Sequence, residues 1–271
     1  MNTLIVVPAR YNSTRFPGKP LKIINGLSML QRTAISATRA CEVIDNAIFV
    51  VATDDNRIET HCRENSIPVI MTPKELSTGS DRTLYAAECY AEQNKMTFDF
   101  ILNLQGDAPF TPIEHLFSVH QGLETGCDVS TPFVRLSWED LDGLRNHKKS
   151  TPFSGTSIII SSDNRAIWFS KNIIPAIRKE DEYREKTSLS PVLRHVGLYG
   201  YTIDALRQFS RLPMSYYEKM EGLEQLRLLE NGFHVRGVEV QPSQISLPGI
   251  DTPQDLSLAK KLIALHGDPH L

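Results

Sequence analysis

Three cations stand close together near the start of the chain: Arg10, Arg15 and Lys19, in the run LIVVPARYNSTRFPGKPL. Small and turn-forming residues separate them (Asn12, Ser13, Pro17, Gly18), and a short apolar run leads directly into them. Guanidinium and ammonium groups spaced along one loop suit a polyphosphate, which needs several donors converging on it. This is not a Walker loop, because G-x-x-x-x-G-K-[ST] is absent and Pro20 follows Lys19.

Two carboxylates are candidates to complete such a site. Asp107 closes the apolar run LNLQGD, where an α/β fold would place a metal ligand facing nucleotide phosphates; the alternative is that Gly106-Asp107 simply makes a turn. Asp251, in PGIDTPQDL, is either the cap of the helix that follows or the second carboxylate of the same site. Two carboxylates joined by phosphate oxygens and waters suit Mg²⁺, which keeps an octahedral, oxygen-only shell. STGSDR (Ser77 to Arg82) is a further candidate, able to receive a planar base through backbone contacts or to serve as an ordinary helix cap. Arg194 and His195 open another apolar run, where a single histidine is more often structural than catalytic. The signatures G-x-G-x-x-G, G-x-S-x-G and H-E-x-x-H are all missing, which removes the usual support for oxidoreductase, α/β-hydrolase and zincin readings.

The elements that must position these residues alternate in the first half. Strands are expected at Leu4–Val7, Ala47–Thr53, Pro68–Thr72 and Phe98–Asp107, with helices at Met29–Ala40, over DDNRIETHCRENS and at Gly79–Gln93. That order implies an α/β fold, a mainly parallel Rossmann-like sheet with helices on both faces. In the second half VSTPFVRL, GTSIIIS, LRHVGLYGYT and FHVRGVEV read as strands of a smaller mixed-sheet portion. YEKMEGLEQLRLLENG reads as one amphipathic helix stopped by Gly232, and DTPQDLSLAKKLIALHG as a last helix with Pro253 in its first turn. RKEDEYREKTS (Arg178 to Ser188) has almost no apolar face and reads as an exposed loop or short solvated helix.

The chain has 271 residues, 41% hydrophobic and 23% charged, with a net charge of -3, which argues against a general nucleic-acid binder. Its four cysteines are far apart and match no zinc or disulfide framework. With no basic leader and no long apolar stretch, membrane insertion is not expected and a cytoplasmic location is.

In sequence order, PARYNSTRFPGKPL, ATDDNRI, STGSDR, LNLQGDAPF, RHVGLYGY, LEQLRLLENG and GIDTPQDL resemble the 3-deoxy-manno-octulosonate (Kdo) cytidylyltransferases, or CMP-Kdo synthetases. The likeness runs from Val6 to about Leu262. It implies a single nucleotidyltransferase domain over 1–271, with a nucleotide-binding half to about 127, a sugar-binding and dimerisation portion over about 128–250 and a final helix over 251–267. It implies cytidylyl transfer from CTP to a Kdo-type keto-sugar acid with release of pyrophosphate, for lipopolysaccharide or another surface glycan. Arg10, Arg15, Lys19 and Asp107 would be catalytic; Pro8, Ala9, Ser13, Thr72, Ser77, Gly79, Ser80, Arg82 and Gln105 would join Arg10 and Lys19 around the nucleotide. His195, Tyr199, Tyr201, Glu224 and Gln225 would line the sugar side, Asp107 and Asp251 would hold Mg²⁺, and the protein would be a homodimer. Two positions depart from the family pattern: Ala108 stands where an acidic residue is common, and Ser157 where a lysine is common. They leave open an amino-substituted Kdo or other ulosonic acid as acceptor, or a non-catalytic nucleotide-binding homologue.

Overall fold

The computed structural model describes residues 1–12, 16–76, 78–243, 245 and 249–270. Strand β1 (Thr3–Ala9) is followed by a two-strand hairpin, β2 (Ile23–Ile24) and β3 (Leu27–Ser28), and then by helix α1 (Met29–Val43). Ser28 and Gln31 close a reciprocal capping box that starts α1. β4 (Ala47–Thr53), α2 (Asn56–Glu64), β5 (Val69–Met71), α3 (Gly79–Asn94), β6 (Phe100–Asn103) and α4 (Ile113–Glu124) complete the first half.

The four strands β1, β4, β5 and β6 are parallel, in the order β5-β4-β1-β6. Their side chains alternate between two cores. Leu4, Val6, Val50 and Ala52 face Ala86 and Ala87 of α3, whereas Ile5, Val7 and Val51 face Leu30 and Ala37 of α1, Ile58 of α2 and Leu116 of α4. Both faces are therefore covered, which is why LIVV is a continuous apolar run rather than an alternating one. Fully parallel pairing also brings the carboxyl ends of these strands to one edge.

The second half extends the same sheet. β7 (Val129–Ser137) precedes α5 (Trp138–Ser150), β8 (Ser157–Ile160), β9 (Ala166–Ser170) and α6 (Glu180–Arg184). β10 (Leu189–His195), β11 (Tyr199–Thr202), α7 (Ile203–Arg211), α8 (Tyr216–Glu221), α9 (Gln225–Glu230), β12 (Val235–Glu239) and α10 (Pro253–His266) follow. β11 runs antiparallel between β6 and β7, β10 lies between β7 and β8, and β12 pairs parallel with β7.

Three sequence expectations change here. LRHVGLYGYT is not one strand: His195 lies opposite Phe133 and Gly200 opposite Ser130, so five steps on one chain match three on the other. The bulge at Val196–Leu198 lets β10 pair with β8 while β11 pairs with β6. YEKMEGLEQLRLLENG is two short helices, because Gly222 adopts a left-handed φ of 64° and ends the first. The buried Glu218–Arg227 pair, at 2.6 and 2.8 Å, ties the two together. The strand expected over Phe98–Asp107 stops at Asn103, and Asp107 lies in the turns beyond it.

The charged stretch forms the short helix α6, with no buried residue, knitted to α5 by Arg145–Glu180 and Arg184–Asp142 contacts at 2.7 Å. The opposite extreme is Arg32 of α1, whose fully buried guanidinium takes both oxygens of Asp268 at 2.7 Å and so fastens the segment after α10 onto α1. Among the described residues, no helix is long and apolar enough to cross a membrane.

Candidate active site

The candidate site lies at the carboxyl edge of the parallel strands. β1 ends in Pro8 and Ala9, and Gly106 approaches them so closely that a Cβ on it would sit 2.7 Å from the Pro8 carbonyl oxygen. A glycine is thus required for the turn carrying Asp107 to fold over the end of β1. The carbonyl of Asp107 accepts from the N–H of Ile250 at 2.9 Å. Thr252 caps α10, and Asp255 completes its capping box, so the helix start is satisfied without the carboxylate of Asp251.

Lys19 sits between the two aspartates. Its Nζ donates to Asp107 Oδ2 at 2.7 Å and to Asp251 Oδ1 at 2.9 Å. Burial alone would lower the ammonium's pKa, but the charges and hydrogen bonds of the two carboxylates outweigh it and raise it. Three charges that are far apart in sequence therefore converge on one point. Arg10 donates to the carbonyl of Leu76, tying the loop after β1 to the segment before α3. Gly79, at the start of α3, faces Gln105 and Pro8, with Gln105 Oε1 3.7 Å from a Cβ built there; Gln105 in turn donates to Asn103 at 3.2 Å. The first turn of α3 thus opens beside the end of β1, where helix N–H groups favour negative charge.

Arg82 is wholly buried, and its guanidinium donates to Thr72 and, at 3.1 Å, to Asp54. Its place in the structure is beneath Thr72, bracing β5 against the end of β4. Ser13, Arg15 and Ser77 lie outside the described residues.

The sugar-side candidates form a second cluster. Thr131 Oγ1 donates to the Leu198 carbonyl at 2.8 Å, so the 2.8 Å contact with His195 Nε2 must be donated by the imidazole. His195 is then neutral with Nδ1 as acceptor, consistent with a pKa pushed down to about 3 by burial and by Lys171. Its ring packs between Phe169 and Tyr199, and Tyr199 stacks on Tyr201. Ser80 lies close enough to Tyr201 and Glu224 to lower the pKa of each, linking this cluster to the start of α3. Burial raises the pKa of Glu224 against the opposing charge of Arg227, and its Oε1 is shut from solvent without a hydrogen-bond partner. Gln225, next to it, is buried.

Sequence reasoning missed Lys171. It follows β9 directly, its backbone N–H donates to Glu221 at 2.7 Å, and its half-buried ammonium lies close enough to His195 to depress that histidine's pKa. The available signal was a lysine placed immediately after an apolar strand, AIWFS, the same arrangement that drew attention to Asp107.

The chain matches the cytidylyltransferase family over residues 4–240. It is 36% identical over 270 residues to the 3-deoxy-manno-octulosonate cytidylyltransferase of Maricaulis maris, covering 99% of each chain. It is 34% identical over 263 residues to the 8-amino-3,8-dideoxy-manno-octulosonate cytidylyltransferase of Shewanella pealeana, covering 96% of this chain and 98% of the other. Among solved structures it resembles CMP:2-keto-3-deoxy-manno-octonic acid synthetase complexed with CTP, with a TM-score of 0.80, 32% identity and 98% and 99% coverage. The chain belongs to the cytidylyltransferase family.

Ser157 and Ala108, the two positions singled out in the sequence, acquire a structural setting. Ser157 is buried in β8 opposite Ser170, its hydroxyl unpartnered, and Lys171, just past the end of the neighbouring strand β9, places a cation 3.5 Å from Thr156 Oγ1. Ala108 lines a cavity of about 340 Å³, whose walls include Asp140, His147 and Arg194.

The residues present fit a divalent cation. Asp107 and Asp251 both lie within hydrogen-bond reach of one ammonium, so a positive charge is already accommodated between them. Among the described residues no group of three or more His, Cys, Asp or Glu side chains is arranged to hold a metal, so the protein would offer two carboxylates and leave the remaining positions to phosphate oxygens and waters. That is the ligand set Mg²⁺ favours.

Proposed function

We propose that this cytidylyltransferase transfers CMP from CTP to a Kdo-type keto-sugar acid and releases pyrophosphate. The observation that carries the reading is the meeting of Lys19, Asp107 and Asp251 at the sheet edge, beside Arg10 and the opening turn of α3. The acceptor's anomeric hydroxyl attacks the α-phosphorus in line, an O–P bond forms, the bond to the β-phosphate breaks, and the hydroxyl proton leaves with solvent or the product phosphate. Such transfer depends on positioning and charge neutralisation rather than on a protein nucleophile. Arg10 and Lys19 bind the triphosphate, and Lys19 neutralises the departing pyrophosphate. Mg²⁺ held by Asp107 and Asp251 would add further neutralisation of the phosphate charge.

On the acceptor side, Lys171 pairs with the sugar acid's carboxylate, while His195 Nδ1 accepts from its hydroxyls and Tyr199, Tyr201, Glu224 and Gln225 shape the wall. An 8-amino acceptor is the second reading, favoured by the similar identity to relatives named for that substrate and by the changes at Ala108 and Ser157. The enzyme is proposed to work in the cytoplasm as a homodimer, through the face where Ile167 of β9 and Tyr216, Tyr217 and Met220 of α8 are exposed.

Pyrophosphate release is the test, with CTP and Mg²⁺ against Kdo, 8-amino-Kdo, sialic acid and a no-sugar blank. Release with one of the first two acids names the acceptor. Silence with both, while CTP still raises the melting temperature, would overturn the acceptor assignment and leave the nucleotide site standing.

A further inference from the structure

The loop that carries Arg10 and Lys19 is closed between them. The N–H of Gly18 donates to the carbonyl of Tyr11 at 2.9 Å. Gly18 has a left-handed φ of 68°, and a Cβ there would lie 3.0 Å from Cζ and Oη of the Tyr11 ring. The phenol end of Tyr11 therefore rests against the backbone one residue before Lys19, and the tyrosine itself is one residue after Arg10.

Something outside the loop holds that ring. The Arg57 guanidinium stacks on Tyr11, its Cζ 3.3 Å from the ring centroid. Arg57 is fixed by a two-pronged pair with Asp55, Nε to Oδ1 at 2.9 Å and Nη2 to Oδ2 at 2.7 Å. Asp55 is the N-cap of α2 and accepts from the Arg57 backbone N–H at 3.0 Å. α2 is anchored in the core through Ile58 and Cys62, and on its next turn His61 contacts Ser28 at 2.8 Å, beyond the loop. One rigid helix thus grips the segment on both sides of Lys19.

We propose that Arg57 is a positioning residue for nucleotide binding. Among the described residues no hydrogen bond or ion pair joins it to Lys19 or Asp107; by clamping Tyr11 it holds the Tyr11–Gly18 closure and so fixes the separation of Arg10 and Lys19. This rests on the reading that those two residues grip the triphosphate. Arg57 is itself largely exposed, so its pair with Asp55 contributes little to global stability and its effect falls on the loop.

The test is a cycle of Arg57→Gln, Tyr11→Leu and the double variant in the full chain, read by calorimetric binding of Mg²⁺–CTP without acceptor and by pyrophosphate-release kinetics. Arg57→Gln is expected to weaken CTP binding and raise the CTP KM by roughly threefold to tenfold, with the acceptor's KM and the melting temperature unmoved. The double variant should be no worse than Tyr11→Leu alone, because Arg57 acts through the ring. Asp55→Asn, which keeps the helix cap but frees Arg57, should shift CTP binding in the same direction. Parental CTP affinity in Arg57→Gln, or a defect that adds in full to that of Tyr11→Leu, overturns the proposal while leaving the nucleotide site intact. A parent chain that does not bind CTP overturns the nucleotide reading itself, and this proposal with it.

Discussion

The backbone N–H of Ile250 donates to the carbonyl of Asp107 at 2.9 Å, and this bond sets the turn after β6 beside the start of α10. Two carboxylates from distant parts of the chain thereby come within reach of one lysine. If they hold the metal, Asp107→Ala and Asp251→Ala should each lower Mg²⁺-dependent pyrophosphate release by roughly 100-fold or more, with circular dichroism unchanged. Near-parental turnover in either variant would remove that residue from the metal assignment.

Lys171 is proposed to meet the acceptor and not CTP. Replacing it with methionine keeps the apolar stem and removes the charge. The acceptor's KM should rise roughly tenfold to a hundredfold, the loss of one charge-assisted contact, with little change for CTP. A change confined to CTP would place the lysine on the nucleotide side instead.

Gly106 is where packing and chemistry meet most tightly. An added methyl group would collide with the Pro8 carbonyl, a backbone atom that cannot swing aside. Gly106→Ala should therefore cost about 1–3 kcal/mol, seen as a lower urea midpoint, and should depress turnover by displacing Asp107. A variant of parental stability would show that the turn has room to shift.

Acid should loosen the segment that follows α10. Arg32 donates to His270 Nδ1 at 3.3 Å, and Ser36 Oγ lies 3.1 Å from Nε2, which fits a neutral ring. Burial, with the charges of Arg32 and Arg39 set against that of Asp268, pushes the His270 pKa down to about 4. The unfolded chain takes up this proton near pH 6.5, the folded chain only near 4, so the unfolded state binds more protons between those values and stability falls as pH drops. The contribution is present above about pH 6.5 and declines by at most about 1.4 kcal/mol per unit below it. His270→Gln should flatten the fall in urea midpoint between pH 7 and 5; an unchanged slope would assign the acid sensitivity to other groups.

Much of the scaffold is legible in the sequence because local signals agree with the fold. AIFVVAT is bounded by a turn and a capped helix, and it forms β4 over the same seven residues. Periodicity fails where one glycine or one bulge redirects the chain. Gly222 sits inside an unbroken apolar pattern, and Val196–Leu198 inside an unbroken β-rich run, and neither pattern reports its own interruption. The candidate site is legible in part for the same reason. Lys19, Asp107 and Asp251 each lie beside a recognisable turn, apolar or capping segment, but their mutual distance is a property of the sheet. Arg32 is silent in the sequence, since its carboxylate partner lies 236 residues away.

That last separation has a consequence for the birth of the protein. Synthesis delivers β1, β4, β5 and β6 within the first 103 residues, and domains begin to fold from the end that emerges first. At that stage Arg32 has no Asp268, and Lys19 has neither of its two aspartates. Until residues 251–268 have been made, Arg32 therefore lacks its carboxylate partner and Lys19 has at most Asp107. Docking of residues 250–270 onto the earlier strands brings Asp251 to Lys19 and Asp268 to Arg32.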